Sequence, residues 1–210
     1  MKIAIKVGIF MLALLIMVVP IVACGEPTTP PSEKKITLAD APIVLNMSSE
    51  LPTSFERLDA ASEGLSNEDM ELGSDFSEVE LFLSEEPYQM VFAYLGIIES
   101  QLERASSDAL MRDKEQIESM VLENLRAGAA EEGGELSEAT VEVTHPDVGD
   151  LAVLGSGTVG AYGASIGYDM LIFKSNKVYV FIFSMYLPRE SVPLALLARG
   201  IEQRIGMFSQ

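Results

Sequence analysis

Two apolar runs separated by a short polar break constrain this chain more than any other feature. YDMLIFK at 168–174 and KVYVFIF at 177–183 flank Ser175-Asn176. Runs rich in β-branched and aromatic residues around a two-residue break read as a hairpin, and Asn tolerates the left-handed backbone such a turn needs. In the second run Val178, Val180 and Ile182 face one way and Tyr179, Phe181 and Phe183 the other. A strand that is apolar on both faces belongs in the middle of a sheet and must be covered.

Further strands are predicted from Val79, Leu81 and Leu83, which share one face, from Tyr88 to Ile98 as a central strand, and from the alternating TVEVT at 140–144. LAVL at 151–154 begins another. Leu110, Ile117, Val121 and Leu125 form one apolar stripe, predicting a helix over 107–127 with Ser106 or Ser107 as its cap and Gly128 beyond its end. A last helix is predicted after a Ser191 cap, with Pro193 in its first turn and Leu194, Leu197, Ile201 and Ile205 buried. Ser66 to Asp69 has the pattern of a short capped helix ending at Gly73. Hairpin-joined strands with helices between and after them give an α+β fold, an antiparallel sheet with two main helices packed on one face.

The first segment reads as an address. Lys2 and Lys6 precede a run without charge from Val7 to Ala23, with Pro20 near its end. A positive start, an apolar stretch and a small residue before a cut are the features of a secretory signal. The run ends in Ile21-Val22-Ala23-Cys24, which resembles the bacterial lipobox. That resemblance implies removal of residues 1–23 and a diacylglyceryl thioether on Cys24, facing outside the cytoplasm. Cys24 is therefore the expected lipidation site. Two or three acyl chains, at about 0.8 kcal/mol per buried methylene, hold a protein durably. GEPTTPPSEKK at 25–35 has three prolines and no large apolar residue, a semi-extended tether. No later linker divides the chain, so 36–210 reads as a single α+β domain.

Composition removes whole classes of function. One Cys excludes an internal disulfide framework and a multi-thiolate zinc site. With 14 Lys+Arg against 32 Asp+Glu, the formal net charge of −18 argues against nucleic acid as a partner. Cleavage would take Lys2 and Lys6 away and leave the chain more acidic still. A solvated acidic surface is the default reading of that charge.

Several motifs offer chemistry without the context it requires. Gly155 to Gly160 matches G-x-G-x-x-G, yet no helix follows to present its N-terminus to a pyrophosphate; a flexible or bulged strand connection is expected instead. Gly163 to Gly167 matches G-x-S-x-G around Ser165, but the only His, His145, lies upstream, and no helix follows. Ser165 is expected in a glycine-rich loop. His145, with Asp147 to orient it, is a candidate base in a turn. Asn67, Asp69, Glu71, Asp75 and Glu78 fall at positions 1, 3, 5, 9 and 12 of an EF-hand-like loop. Leu72 holds the position of the turn glycine and Gly73 comes one place late, so weak calcium binding stands beside a solvated helix and loop. Tyr168, Phe173, Tyr179, Phe181, Phe183 and Tyr186 are core by their spacing, with a ligand cavity as the alternative.

LPTSFERLDAASEGLSNEDM, SEEPYQMVFAYLG and VGDLAVLGSG with YDMLIFKSNKVYVFIFSMY resemble uncharacterised bacterial surface lipoproteins over most of 50–208. The order of elements is similar, more distantly, to the PsbP-like fold. The first resemblance implies no active site, and the second implies architecture alone. The expectation is a membrane-anchored, non-enzymatic binding module without a cofactor, its ligand a small molecule or an envelope protein. A structural or assembly subunit of an envelope complex is the alternative, and a serine hydrolase using Ser165 or His145 stands behind both.

Overall fold

Asn176 turns the chain between the last two strands at φ 57°, in the left-handed region. Ser175 pairs with Val178, so Asn176 and Lys177 make the two-residue turn, one residue later than the sequence suggests. Asp150 fixes it: Oδ2 accepts from Asn176 N at 2.6 Å. The computed structural model describes residues 36–66, 75–77, 79–131, 138–161, 164–187 and 191–208.

Among these, β1 (Glu56–Leu58), β2 (Glu80–Glu85), β3 (Tyr88–Ile97), β4 (Ala139–Thr144), β5 (Leu151–Ala161), β6 (Ala164–Ser175) and β7 (Val178–Tyr186) form one sheet. Its order is β1-β2-β3-β7-β6-β5-β4. Every neighbouring pair is antiparallel. β7 and β3 lie inside the sheet, as their two apolar faces require. The helices are α1 (Ala41–Val44), α2 (Gln101–Arg112), α3 (Lys114–Glu131) and α4 (Leu194–Phe208). The α+β class and the antiparallel sheet are thus as expected.

The placement of the helices is different. The expectation put both main helices on one face, whereas α3 and α4 cover opposite faces. Ile117, Val121 and Leu125 of α3 pack with Phe92, Tyr94, Phe181 and Phe183. There the Phe92 and Phe183 rings stack at 5.2 Å and those of Tyr94 and Phe181 at 4.9 Å. Leu197, Ala198, Ile201 and Ile205 of α4 pack with Val91, Leu95, Val180 and Ile182 on the other side, joined by Val44 and Leu45. A strand such as β7 exposes apolar side chains on both faces, and each face needs its own layer.

The helix expected over 107–127 is two helices. Ser100, rather than Ser106 or Ser107, caps α2, its side chain accepting from Glu103 N. Asp113 breaks the run with φ −92° and ψ 92°. Its Oδ1 accepts from Gln116 N at 3.0 Å, so it caps the second helix as it ends the first. α3 also continues past Gly128 to Glu131. The glycine-bearing 155–160 is neither a loop nor a bulge: it lies inside β5 and pairs in unbroken register with β6 throughout and with β4 up to Val159. A Cβ on Gly157 would stand 1.8 Å from Thr140 O. Glycine there lets Tyr168 OH donate to that carbonyl at 2.8 Å and bind β6 to the edge strand. Ser66 lies in a bend, and the rest of the short helix expected after it lies outside the described residues.

Candidate functional site

On the face that α4 covers, the sheet changes from apolar to polar along its strands. Ala93, Ile182 and Leu171 give way to Ser84 on β2, Gln89 on β3, Ser184 and Tyr186 on β7, Asp169 on β6 and Ser156 on β5. Register brings them together: Asp169 stands opposite both Ser184 and Ser156, and Gln89 opposite both Tyr186 and Ser84. Ser84, Gln89, Asp169 and Ser184 are all buried.

Such a row requires hydrogen bonds, because each unsatisfied buried group costs about 1–3 kcal/mol. Gln89 Nε2 donates to Ser184 Oγ at 2.8 Å. The hydroxyls of Ser156, Tyr186 and Ser191 face Asp169 and act to hold its carboxyl down. Burial nevertheless pushes its carboxyl above the usual aspartate range, against those three hydroxyls. The Tyr186 phenol is pushed up by burial first and then by the neighbouring Asp169. Ser191, expected as a helix cap, therefore serves this cluster. Ser84 Oγ has no hydrogen-bond partner among the described residues.

Toward β4 the row opens to solvent. Ser156 is half-buried and stands opposite exposed Glu142 on β4, and Thr140 and Thr158 beside them are exposed, their hydroxyls 3.1 Å apart. The arrangement is a hydroxyl-lined surface leading to a buried carboxyl. It offers donors and acceptors for a polar ligand.

The candidates for catalysis are not brought together. Ser165 lies in β6, paired with Gly160, and not in a loop. It shares the face of Asp169, but four residues along a strand is about 13 Å. His145 follows β4 on the opposite side of the sheet, where its Nε2 is 3.0 Å from Met111 O at the end of α2. The sheet thus stands between Ser165 and His145, and Asp147 is exposed in the bend beyond. Of the calcium candidates, Asn67, Asp69, Glu71 and Glu78 lie outside the described residues. Asp75 is exposed, and its carbonyl accepts from Ile97 N at 2.9 Å. No group of three or more His, Cys, Asp or Glu could hold a metal ion among the described residues. The aromatics of the last hairpin are packed side chains, with Tyr168 at 2% and Phe173 at 0% exposure. Cys24 also lies outside the described residues, and among those described no helix is long and apolar enough to cross a membrane.

A second polar cluster occupies the α2 face. Asp108 accepts from Lys174 Nζ at 2.6 Å and from Tyr179 OH at 2.8 Å. Lys174 also lies over the Tyr179 ring, 5.7 Å from its centroid. These contacts tie α2 to the hairpin, and every charged partner is used within the fold.

Sequence reasoning missed Ser84, Gln89, Asp169 and Ser184; it named Tyr186 as core or cavity lining and Ser191 as a helix cap. Asp169 and Ser184 had a weak signal, since each is a polar residue beside an apolar run, but only the observed turn sets them opposite each other. No family model matches the chain, and no curated protein matches it.

Proposed function

We propose that this chain is a lipid-anchored lipoprotein, held outside the cytoplasm by acyl chains on Cys24, whose domain binds a polar ligand and catalyses no reaction. The address in residues 1–24 supports the anchor. The observation that carries binding is the hydroxyl row running from exposed Thr140 and Thr158 to buried Asp169 and Ser184. A row of hydroxyls between a buried carboxyl, Asp169, and an exposed one, Glu142, recognises hydrogen-bonding groups, and Ser184 is tied to Gln89 rather than to a base.

Intact mass of the protein purified from native membranes, before and after delipidation, tests this reading. The expected result is loss of residues 1–23, acyl mass on Cys24, and a small molecule released on denaturation that Ser156→Ala retains less well. An unprocessed, unacylated chain overturns the anchor. An acylated chain with no retained molecule overturns the binding reading.

An assembly subunit is the second reading, and β4 favours it. Its outer edge pairs with no strand among the described residues. Unpaired edges accept strands from partners.

A further inference from the structure

Exposed apolar side chains are unevenly distributed over this domain. Among the described residues five large ones stand out, and three of them, Ile43 at 60%, Leu196 at 58% and Met207 at 70%, belong to α1 and α4. On α4, Leu196, Arg199, Gln203 and Met207 follow one another at helical spacing and form the outer stripe, opposite buried Leu197, Ile201 and Ile205. The stripe has no acidic residue. Arg204 joins the two helices by donating Nε to Val44 O at 2.8 Å, so Ile43, the residue before Val44, lies on the helix tied to α4. By contrast, α3 on the opposite face carries Glu115, Glu118 and Glu123 against Lys114 and Arg126.

We propose that the outer face of α4, with Ile43 on the helix tied to it, is a lipid-contacting surface that seats the domain on the membrane holding its anchor. This rests on the lipid-anchored reading of Cys24. The place where the tether meets the domain selects the lipid as occupant. Ile36 packs against the same core as α4 and Phe208. Residues 25–35 span at most about 40 Å at roughly 3.6 Å per residue, so the domain stays within that reach of the acyl chains and the chain enters it on the α4 side. Charge selects the same face. A protein of net charge −18 is repelled by anionic headgroups through its acidic faces, and a stripe that carries Arg199 and no carboxylate, with Glu202 on its flank, is repelled less than the α3 face. Two or three apolar side chains would not hold a free protein at a bilayer, but the tether keeps their local concentration high.

The chain has no Trp, so a single introduced one is a clean reporter. Met207→Trp and Leu196→Trp test the surface, and Glu115→Trp on α3 is the control. Each protein, purified with its native anchor, is placed in phosphatidylcholine–phosphatidylglycerol vesicles with and without brominated acyl chains. The expected result is a blue-shifted emission at 207 and 196 that bromination reduces several-fold more than at 115. Arg199→Glu added to Leu196→Trp should reduce that quenching. Equal quenching at all three positions, or none, overturns the proposal. A blue shift at 207 that depends on protein concentration in detergent, without quenching in vesicles, assigns the face to a second copy and also overturns it. Intact mass of the same samples separates the two readings. An acylated chain without selective quenching removes only the docking surface, and an unacylated chain removes the anchor on which it rests.

Discussion

The ring of Tyr186 lies over Gly167, its cross-strand neighbour, in the space a side chain there would fill. A Cβ on Gly167 would come within 2.3 Å of Tyr186 Cε2. The absent side chain lets the phenol lean along the sheet toward Asp169, two residues further along β6, which acts on its pKa. Gly167→Ala should therefore displace the ring and destabilise the domain by about 1–3 kcal/mol, the usual range for overpacking. Urea unfolding gives the number. Adding Tyr186→Ala should make the Gly167→Ala change nearly neutral, because the clash has one partner. A full effect in the Tyr186→Ala background would contradict this geometry.

Asp169 makes stability depend on pH with an unusual sign for a carboxylate. Its folded pKa is raised above the ordinary value, because burial outweighs the facing hydroxyls of Ser156, Tyr186 and Ser191. A raised folded pKa means that the native state holds the proton more tightly than the unfolded chain does. Its contribution is fully present below the unfolded aspartate value and is lost as pH rises through the folded one. Asp169→Asn keeps acceptors for the hydroxyls and has no charge to bury. The variant should thus gain stability relative to the parent as pH is raised from about 4 to 7. Paired urea titrations at several pH values measure it; a difference that does not change with pH would contradict the burial argument.

Asp108 has the opposite sign. Burial pushes its carboxyl up, but hydrogen bonds from Lys174 and Tyr179, with the charges of Lys174 and Arg112, bring it below the ordinary range. The stability it supplies is present above the unfolded aspartate value and is lost as pH falls through the depressed one. Asp108→Asn should cost about 1–3 kcal/mol near neutrality, since Lys174 and Tyr179 lose a charged acceptor. The cost should shrink in acid. Lys174→Met, which removes the ammonium but keeps a stem of similar length, should cost less than Asp108→Asn. Asp108 then keeps Tyr179 OH, and its half-open surroundings admit water.

Much of the fold was legible because the period-2 pattern of 178–183 can be satisfied only inside a covered sheet. The polar row was not, and the turn explains why. Placing the turn at Ser175-Asn176 sets Lys174 opposite Lys177 and therefore Asp169 opposite Ile182, in the apolar part of the face. The observed turn at Asn176-Lys177 sets Asp169 opposite Ser184. A one-residue displacement of a hairpin turn moves every cross-strand partner by two, so faces survive while neighbours change. Asp150, which fixes the turn through Asn176 N, is distant in sequence and gave no local signal. The break at Asp113 was hidden differently. The stripe of Leu110, Ile117, Val121 and Leu125 keeps its phase across it, and only the capping habit of Asp pointed to two helices.

The two-layer arrangement leads to a last prediction, because a helix on one face alone would leave the other core open to water. Ile117 of α3 and Ile201 of α4 are both 0% exposed, each in a different core cluster. Either change to Ala removes buried methyl and methylene groups, and the sheet between them prevents one layer from collapsing into the space left in the other. Ile117→Ala and Ile201→Ala should each cost about 2–5 kcal/mol. Their effects should add in the double variant to within about 0.5 kcal/mol, as expected for residues that share no partner. Denaturant unfolding of the four proteins checks both statements. A near-neutral Ile201→Ala would return the fold to the single covered face that the sequence suggested. Strong non-additivity would instead mean that the central strands transmit strain between the two cores.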